Sequence, residues 1–290
     1  MHNRLYIATT FRDFTGGDND IIQHRFLSTL KEQSVPVTLL VTTFGEINVV
    51  NELERTGIDF EVFEGDKGEF RYSLTDVLLN AINYLNDNKI DCNLMWTTCD
   101  VLFESDFAQT VNKNISLANN KPCIATSHPN VQFNSLNLME NEFTTGSSYI
   151  DAGFDLLIFN RSFYSNLSVI DCIANYRFYD WGIFEHFLIS LKEIVNEAFL
   201  LNVHEESKII KIANDRNITN EPSQFLIDSH KRNSIVFDSF LSEKNVSRMY
   251  YDLTFCHFKF KNTTNDISHK IRYSREYISN IITEIKSRLK

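Results

Sequence analysis

Apolar and polar positions along this chain switch repeatedly between the short runs of buried strands and the three-to-four spacing of helices. Leu5-Tyr6-Ile7-Ala8 is a continuous apolar run, and Thr9 to Gly17 is a polar, glycine-ended loop, which predicts a first strand and the loop leaving its carboxyl end. Asp18 or Asn19 can cap a helix on which Ile21, Ile22, Phe26, Leu27 and Leu30 share one face. Val35 to Val41 is β-branched and unbroken, the mark of a strand covered on both faces. A short helix over Glu46–Arg55 stops at Gly57, and Asp59–Phe63 supplies a third strand. Ser73 then caps a helix lined by Leu74, Val77, Leu78, Ala81, Ile82 and Leu85. Leu94-Met95-Trp96 forms the next strand, interrupted by Thr97-Thr98-Cys99-Asp100 before Val101-Leu102-Phe103 and a helix from Ser105 to about Leu117.

Further on, Pro122–Thr126 and Phe154–Phe159 read as strands, separated by a polar stretch from Asn130 to Ser148 of the length expected for a functional flap or a partly disordered loop. Tyr176 to His186 opens a long helix with Trp181, Phe184, Leu188, Leu191 and Val195 on its buried side, and Phe199–His204 reads as a short strand. From Ile218 the signal weakens until Met249–Phe260, which alternates like an edge strand. Strand and helix in strict alternation predict an α/β fold: a three-layer α/β/α sandwich around a mostly parallel, Rossmann-like sheet. The expected division is residues 1–215 as the sheet domain and residues 216–290 as a C-terminal helical extension.

Composition narrows the function classes. A net charge of -10 argues against a nucleic-acid partner, because tracking phosphates needs clustered Lys and Arg. Cys92, Cys99, Cys123, Cys172 and Cys256 include no CxxC pair, which predicts free thiols in a reducing compartment and no structural zinc site. With no leader-like start and no run near the ~20 apolar residues of a membrane span, a cytoplasmic protein is expected. Neither GxGxxG nor GxxxxGK[ST] follows the first strand. The tail from Ser268 to Lys290 differs in character. Ile271, Ile278, Ile281, Ile282, Ile285 and Leu289 recur at helical spacing among six basic residues, so it either docks on the protein body or meets an anionic membrane surface or a partner.

The chemistry concentrates at Asp100, a carboxylate delivered at the carboxyl end of a buried strand. In open α/β sheets that edge binds ligands, so Asp100 can hold a cation or a ligand hydroxyl, or serve only as a turn or capping residue. The opening strand and polar loop, the helix after Arg71-Tyr72-Ser73, the strand ending Thr98-Cys99-Asp100, and the helix opening Tyr179-Asp180-Trp181 together resemble the GT-A class of nucleotide-sugar glycosyltransferases, over roughly Leu5 to Ala213. That class carries a DxD motif for a divalent cation, and here Thr98 replaces the first acid to leave TxD. The resemblance implies Mn²⁺ or Mg²⁺ at Asp100, since such ions take their remaining ligands from water and substrate phosphates. It implies donor contacts from Thr9, Thr10, Arg12, Arg71 and Thr98, and further metal ligation by His204 or His257, with Lys259 and Lys261 beside the latter. Asp180 matches the position of the inverting members' catalytic base, with Glu185 in reserve; Asp180 also suits a helix N-cap or an acceptor-positioning role.

The implied activity is sugar transfer from a nucleotide-diphosphate sugar to a saccharide or glycolipid acceptor, with inversion, in bacterial surface-polysaccharide or glycolipid synthesis, with peripheral membrane contact through residues 268–290. Two rivals stand beside it. A sugar-phosphate nucleotidyltransferase shares the sheet but needs a basic loop where Thr15-Gly16-Gly17-Asp18 is acidic. A catalytically inactive binding or scaffold subunit is consistent with the missing first acid.

Overall fold

The computed structural model describes residues 4–66, 72–103, 105–117, 123–127, 156–195, 199–202, 209–211 and 224–252, with single positions at 275, 278, 279, 282 and 286. In chain order the elements are β1 (Leu5–Thr9), α1 (Asp18–Lys31), β2 (Val37–Thr43), α2 (Val49–Thr56), β3 (Asp59–Glu64), α3 (Leu74–Asp87), β4 (Asn93–Thr97), β5 (Val101–Phe103), α4 (Phe107–Leu117), β6 (Cys123–Ser127), β7 (Leu156–Phe159), α5 (Arg161–Tyr164), α6 (Leu167–Asn175), α7 (Trp181–Val195), β8 (Phe199–Asn202), β9 (Ile209–Lys211) and α8 (Gln224–Glu243). Among the described residues, seven strands form one sheet in the order β3-β2-β1-β4-β7-β6-β8. β1 runs parallel to β2 and β4, and β2 runs parallel to β3. β7 is antiparallel to both β4 and β6.

Side-chain alternation assigns the two faces of the sheet. Leu5 and Ile7 of β1, Leu39 and Val41 of β2, and Met95 of β4 point into one cluster with Phe26, Leu27 and Leu30 of α1 and Phe107 and Val111 of α4. On the opposite face Trp96 of β4 stacks on Trp181 at the first position of α7, with ring centroids 3.4 Å apart and planes 12° apart. Phe184 meets the same indole edge-on at 5.1 Å. Helices therefore cover both faces, as the run of buried positions in β2 requires. The start of α3 is set by Ser73, whose side chain accepts the N–H of Asp76. The end of α2 is set by Gly57, which takes a left-handed φ of 71°. Gly65 has a different reason. A Cβ there would lie 2.3 Å from Cε1 of Phe44 and 2.7 Å from Cγ2 of Thr42, so the chain leaving β3 passes where only glycine fits.

Two features lie beyond the sequence reading, and one part of that reading is corrected. Val101–Phe103 turns aside after Asp100 and pairs antiparallel with β9, outside the main sheet. α5 and α6 occupy the interval before Tyr176, each capped by an asparagine, Asn160 and Asn166. The first part of Met249–Phe260 is helical, not an edge strand: residues 248–252 form a turn in which Ser247 Oγ accepts the N–H of Tyr250 and Arg248 pairs with Asp252 at 3.2 Å. The apparent alternation there is a short amphipathic turn that buries Tyr251 edge-on against Phe237. The rest of that stretch lies outside the described residues, as does the polar stretch Asn130–Ser148.

By internal contacts the chain forms two compact units, residues 1–233 and residues 234–290. Within the second, Phe237 and Phe240 pack together and Arg248 lies 5.0 Å from the Phe237 ring. Among the described residues, no helix is long and apolar enough to cross a membrane.

Candidate functional site

β1 connects outward to β2, and the sheet continues on its other side through β4, so the strand order reverses between β1 and β4. In an open α/β sheet that reversal leaves a crevice at the carboxyl ends of the two strands. Here the crevice is built from both sides. Thr9 Oγ1, at the end of β1, donates to the carbonyl of Thr97 at the end of β4 at 2.8 Å, fully buried. Gln23 on α1 then holds the loop after β1: its Oε1 accepts the Arg12 N–H at 2.7 Å, and its Nε2 donates to the Arg12 carbonyl at 3.2 Å. The same Oε1 accepts from the Cys99 thiol at 3.5 Å. One buried amide thus ties the β1 loop, which carries Thr10 and Arg12, to the turn that carries Thr98, Cys99 and Asp100.

Polar atoms in this crevice lack internal partners. Oδ1 of Asp100 and the hydroxyls of Thr10 and Thr98 are buried with no hydrogen-bond partner among the described residues. A buried carboxylate oxygen left without a partner is costly. Its neighbour is electrostatically distinct. Burial pushes the Cys99 thiol up to about 12, assisted by the Asp100 charge and opposed by that of Arg12. Burial likewise raises Cys92 to about 12, against a hydrogen bond with Tyr164. Cys99 is therefore a thiol at neutral pH, not a nucleophile.

The sign of the linkage follows from the direction. Both cysteines sit above their ordinary value of 9.0, so the stability they contribute is complete below that pH and is lost as pH rises from there toward about 12. The expected result is a Tm that falls with pH above 9 more steeply in the wild type than in Cys92→Ser/Cys99→Ser, measured by circular dichroism.

A second wall is formed by the segment before α7. The Leu74 N–H donates to the Phe178 carbonyl at 2.9 Å, and the Thr75 hydroxyl both donates to the Tyr176 carbonyl and accepts from the Phe178 N–H, each at 3.0 Å. Arg177 pairs with Asp66 at 2.5 Å and Asp76 at 3.5 Å, and Asp66 first among its partners raises the guanidinium's pKa. The segment is thereby fastened to the amino end of α3, at the carboxyl edge of the sheet. Asp180 closes it: its Oδ1 accepts the Ile183 N–H at 3.1 Å, making it the N-cap of α7.

α8 packs on the same segment. The Asn233 side-chain oxygen, in the orientation its neighbours require, accepts the backbone N–H groups of Asp180 at 2.5 Å and Tyr179 at 2.8 Å. Arg232 lies 5.5 Å from the Tyr179 ring, and His230 Nδ1 is 3.6 Å from Asp180 Oδ1.

Glu185 is buried in α7, at 4% exposure. Arg71, His204, His257, Lys259 and Lys261 lie outside the described residues. Among the described residues, no group of three or more His, Cys, Asp or Glu is arranged to hold a metal. Gln23, His230 and Asn233 escape a reading of the sequence. The signal for Asn233 was the spacing Ser229, Asn233, Phe237, Phe240 and Leu241, all buried, whose first two members are polar and so do not register as an apolar stripe.

A parallel β3-β2-β1-β4 core flanked by antiparallel β7, with an acid just beyond β4 at the reversal point, makes this an α/β fold of the GT-A type. No family model matches the chain, and no curated protein matches its sequence. Solved structures do share its fold. Residues 1–349 of S. aureus TarS in complex with UDP match with a TM-score of 0.53 at 10% identity, over 90% of this chain and 72% of that one. The same S. aureus protein in complex with UDP-GlcNAc gives a TM-score of 0.52 at 10% identity, over 96% and 79%. At such identities the likeness is one of fold.

Proposed function

We propose that this protein is a glycosyltransferase that moves a sugar from a nucleotide-diphosphate sugar to a saccharide or glycolipid hydroxyl with inversion at the anomeric carbon. The observation that carries the reading is the buried, unpartnered Oδ1 of Asp100 at the reversal point of a fold shared with chains solved with UDP and UDP-GlcNAc. That orphaned oxygen fits a hard divalent cation, Mn²⁺ or Mg²⁺, which needs few protein ligands when substrate phosphates and water supply the others. When bound, such a cation neutralises charge growing on the leaving diphosphate. His204 and His257 are proposed as further ligands.

The chain's own residues supply binding and proton chemistry. Thr9, Thr10, Arg12, Arg71 and Thr98 bind and orient the donor. Among the described residues the hydroxyls of Thr10 and Thr98 have no partner, and a phosphate or ribose would supply one. Asp180 is the carboxylate on the acceptor side, with Glu185 in reserve, and its fixing as the α7 cap holds it at one position. The test is a thermal-shift screen of UDP-, GDP-, dTDP- and CMP-sugars with and without Mn²⁺. Saturation at a hundredfold Kd contributes about 2.7 kcal/mol, so the matching donor class is expected to raise Tm by several degrees. No shift with any nucleotide sugar would overturn the reading.

The tail supports a proposed peripheral contact with an anionic membrane, where the acceptor would be a glycolipid. Arg275, Ile278, Ser279, Ile282 and Lys286 are all exposed, so two isoleucines face solvent among bases in an acidic protein. Deleting residues 268–290 is expected to reduce co-sedimentation with phosphatidylglycerol vesicles at least about tenfold, while the remaining chain keeps a cooperative thermal transition. Unchanged sedimentation would sink the contact.

A further inference from the structure

Asp180 is not alone on the acceptor side. Its Oδ1 already accepts the Ile183 N–H as the helix cap, and His230 Nδ1 stands 3.6 Å from that same oxygen. The two side chains differ in access: Asp180 is 21% exposed and His230 is 60% exposed. The contact is held from three directions. Asn233, one turn beyond His230 on α8, accepts the backbone N–H groups of Tyr179 and Asp180, and Arg232 lies against the Tyr179 ring. The Trp181–Trp96 stack fixes the residue that follows Asp180 to β4. A carboxylate clamped in this way, with an imidazole nitrogen at ion-pair distance and the other imidazole nitrogen directed away from it, has the arrangement in which an acid orients a histidine base. Apo contacts of this kind are commonly long and tighten when substrate binds.

We infer that His230 is the proton acceptor of the reaction and that Asp180 is its positioning residue, an inference that rests on the glycosyltransferase reading above. As the acceptor oxygen forms its bond to the anomeric carbon, the bond from that carbon to the diphosphate oxygen breaks and its electron pair leaves with the diphosphate. The acceptor's proton passes to the lone pair on Nε2, and the imidazolium so formed is held by the Asp180 carboxylate through Nδ1–H. Imidazole is suited to this step because one ring nitrogen can accept the proton while the other donates to the carboxylate. The charged and titratable groups around the pair are Asp180 and Tyr179 on the segment before α7, with Arg177 bonded to Tyr179, and Asp228, Lys231 and Arg232 on α8 itself.

Two measurements decide it. Nitrogen NMR of histidine-labelled protein above about pH 8 reads the tautomer directly, with the His230 signal identified by its loss in His230→Gln. The expected result is the Nδ1–H form in the wild type and the Nε2–H form, preferred by free histidine, in Asp180→Asn, a substitution that keeps a good helix cap. An Nε2–H form in the wild type, or no change in Asp180→Asn, overturns the pairing. With the donor found by the thermal-shift screen, His230→Gln is expected to lower kcat for nucleoside diphosphate release about 10²–10⁴-fold while the donor KM stays within about twofold. Undiminished kcat in His230→Gln overturns the role of His230 alone. Absence of any donor binding in the wild type overturns the underlying reading, and the two failures are thereby distinguished.

Discussion

Asp100→Ala is expected to lose Mn²⁺-dependent stabilisation by the donor entirely and to lower turnover by about 10²–10⁴-fold, since a cation at a leaving diphosphate contributes several kcal/mol. The apo variant is expected to be as stable as the wild type or more so. Among the described residues the buried Oδ1 of Asp100 makes no hydrogen bond, and removing an oxygen without a partner relieves a cost instead of breaking a contact. This combination of unchanged or higher apo Tm and lost ligand response separates a ligand-holding carboxylate from a structural one. A capping or turn aspartate gives the reverse: a lower apo Tm and an intact donor response. Calorimetric scans of both proteins, with and without Mn²⁺ and the donor, read both quantities together.

The second large effect is expected at Asn233, which is fully buried. Asn233→Leu keeps the branched, four-heavy-atom outline of the side chain and a good helix former on α8. What it removes is the acceptor for the backbone N–H groups of Tyr179 and Asp180. Two buried donors left without partners cost about 1–3 kcal/mol each, and the variant is expected to lose about 2–5 kcal/mol in urea unfolding. Asn233→Asp retains an acceptor and is expected to lose less. Equal losses for Leu and Asp would show that Asn233 acts through its shape, not through its hydrogen bonds. Because the same bonds fix the backbone of Asp180, Asn233→Leu is also expected to reduce turnover by more than its donor affinity.

Much of this architecture was legible because the first half of the chain obeys simple periodicities. The unbroken Val37–Val41 run, the helical stripe through Ile22, Phe26 and Leu30, and the Ser73 cap each have one local solution, and the structure contains it. The Thr97–Asp100 interruption was legible for the same reason, since polar residues ending a buried strand mark a carboxyl edge. Legibility failed where burial is polar or pairing is long-range. α8 presents Ser229 and Asn233 to the interior, so its buried stripe is invisible to an apolar count. Val101–Phe103 looks like any apolar run, and nothing local says that its partner lies more than a hundred residues away in β9. The turn at 248–252 alternates like a strand because a short amphipathic turn and a short strand show the same few residues.

The sequence by itself determined the α/β class, the order of its first strands and helices, and the delivery of Asp100 to the edge of a sheet, because each depends on local periodicity and on chemistry confined to a few neighbouring residues. Only the tertiary structure decided which groups share the crevice and what surrounds Asp180. Gln23 joining Arg12 to Cys99, Thr9 bonding Thr97, and α8 bringing His230 and Asn233 to the cap of α7 join residues from eleven to almost ninety positions apart. Contacts at such separations are set by how the layers stack and where the strand order reverses, and no pattern within a single element encodes them.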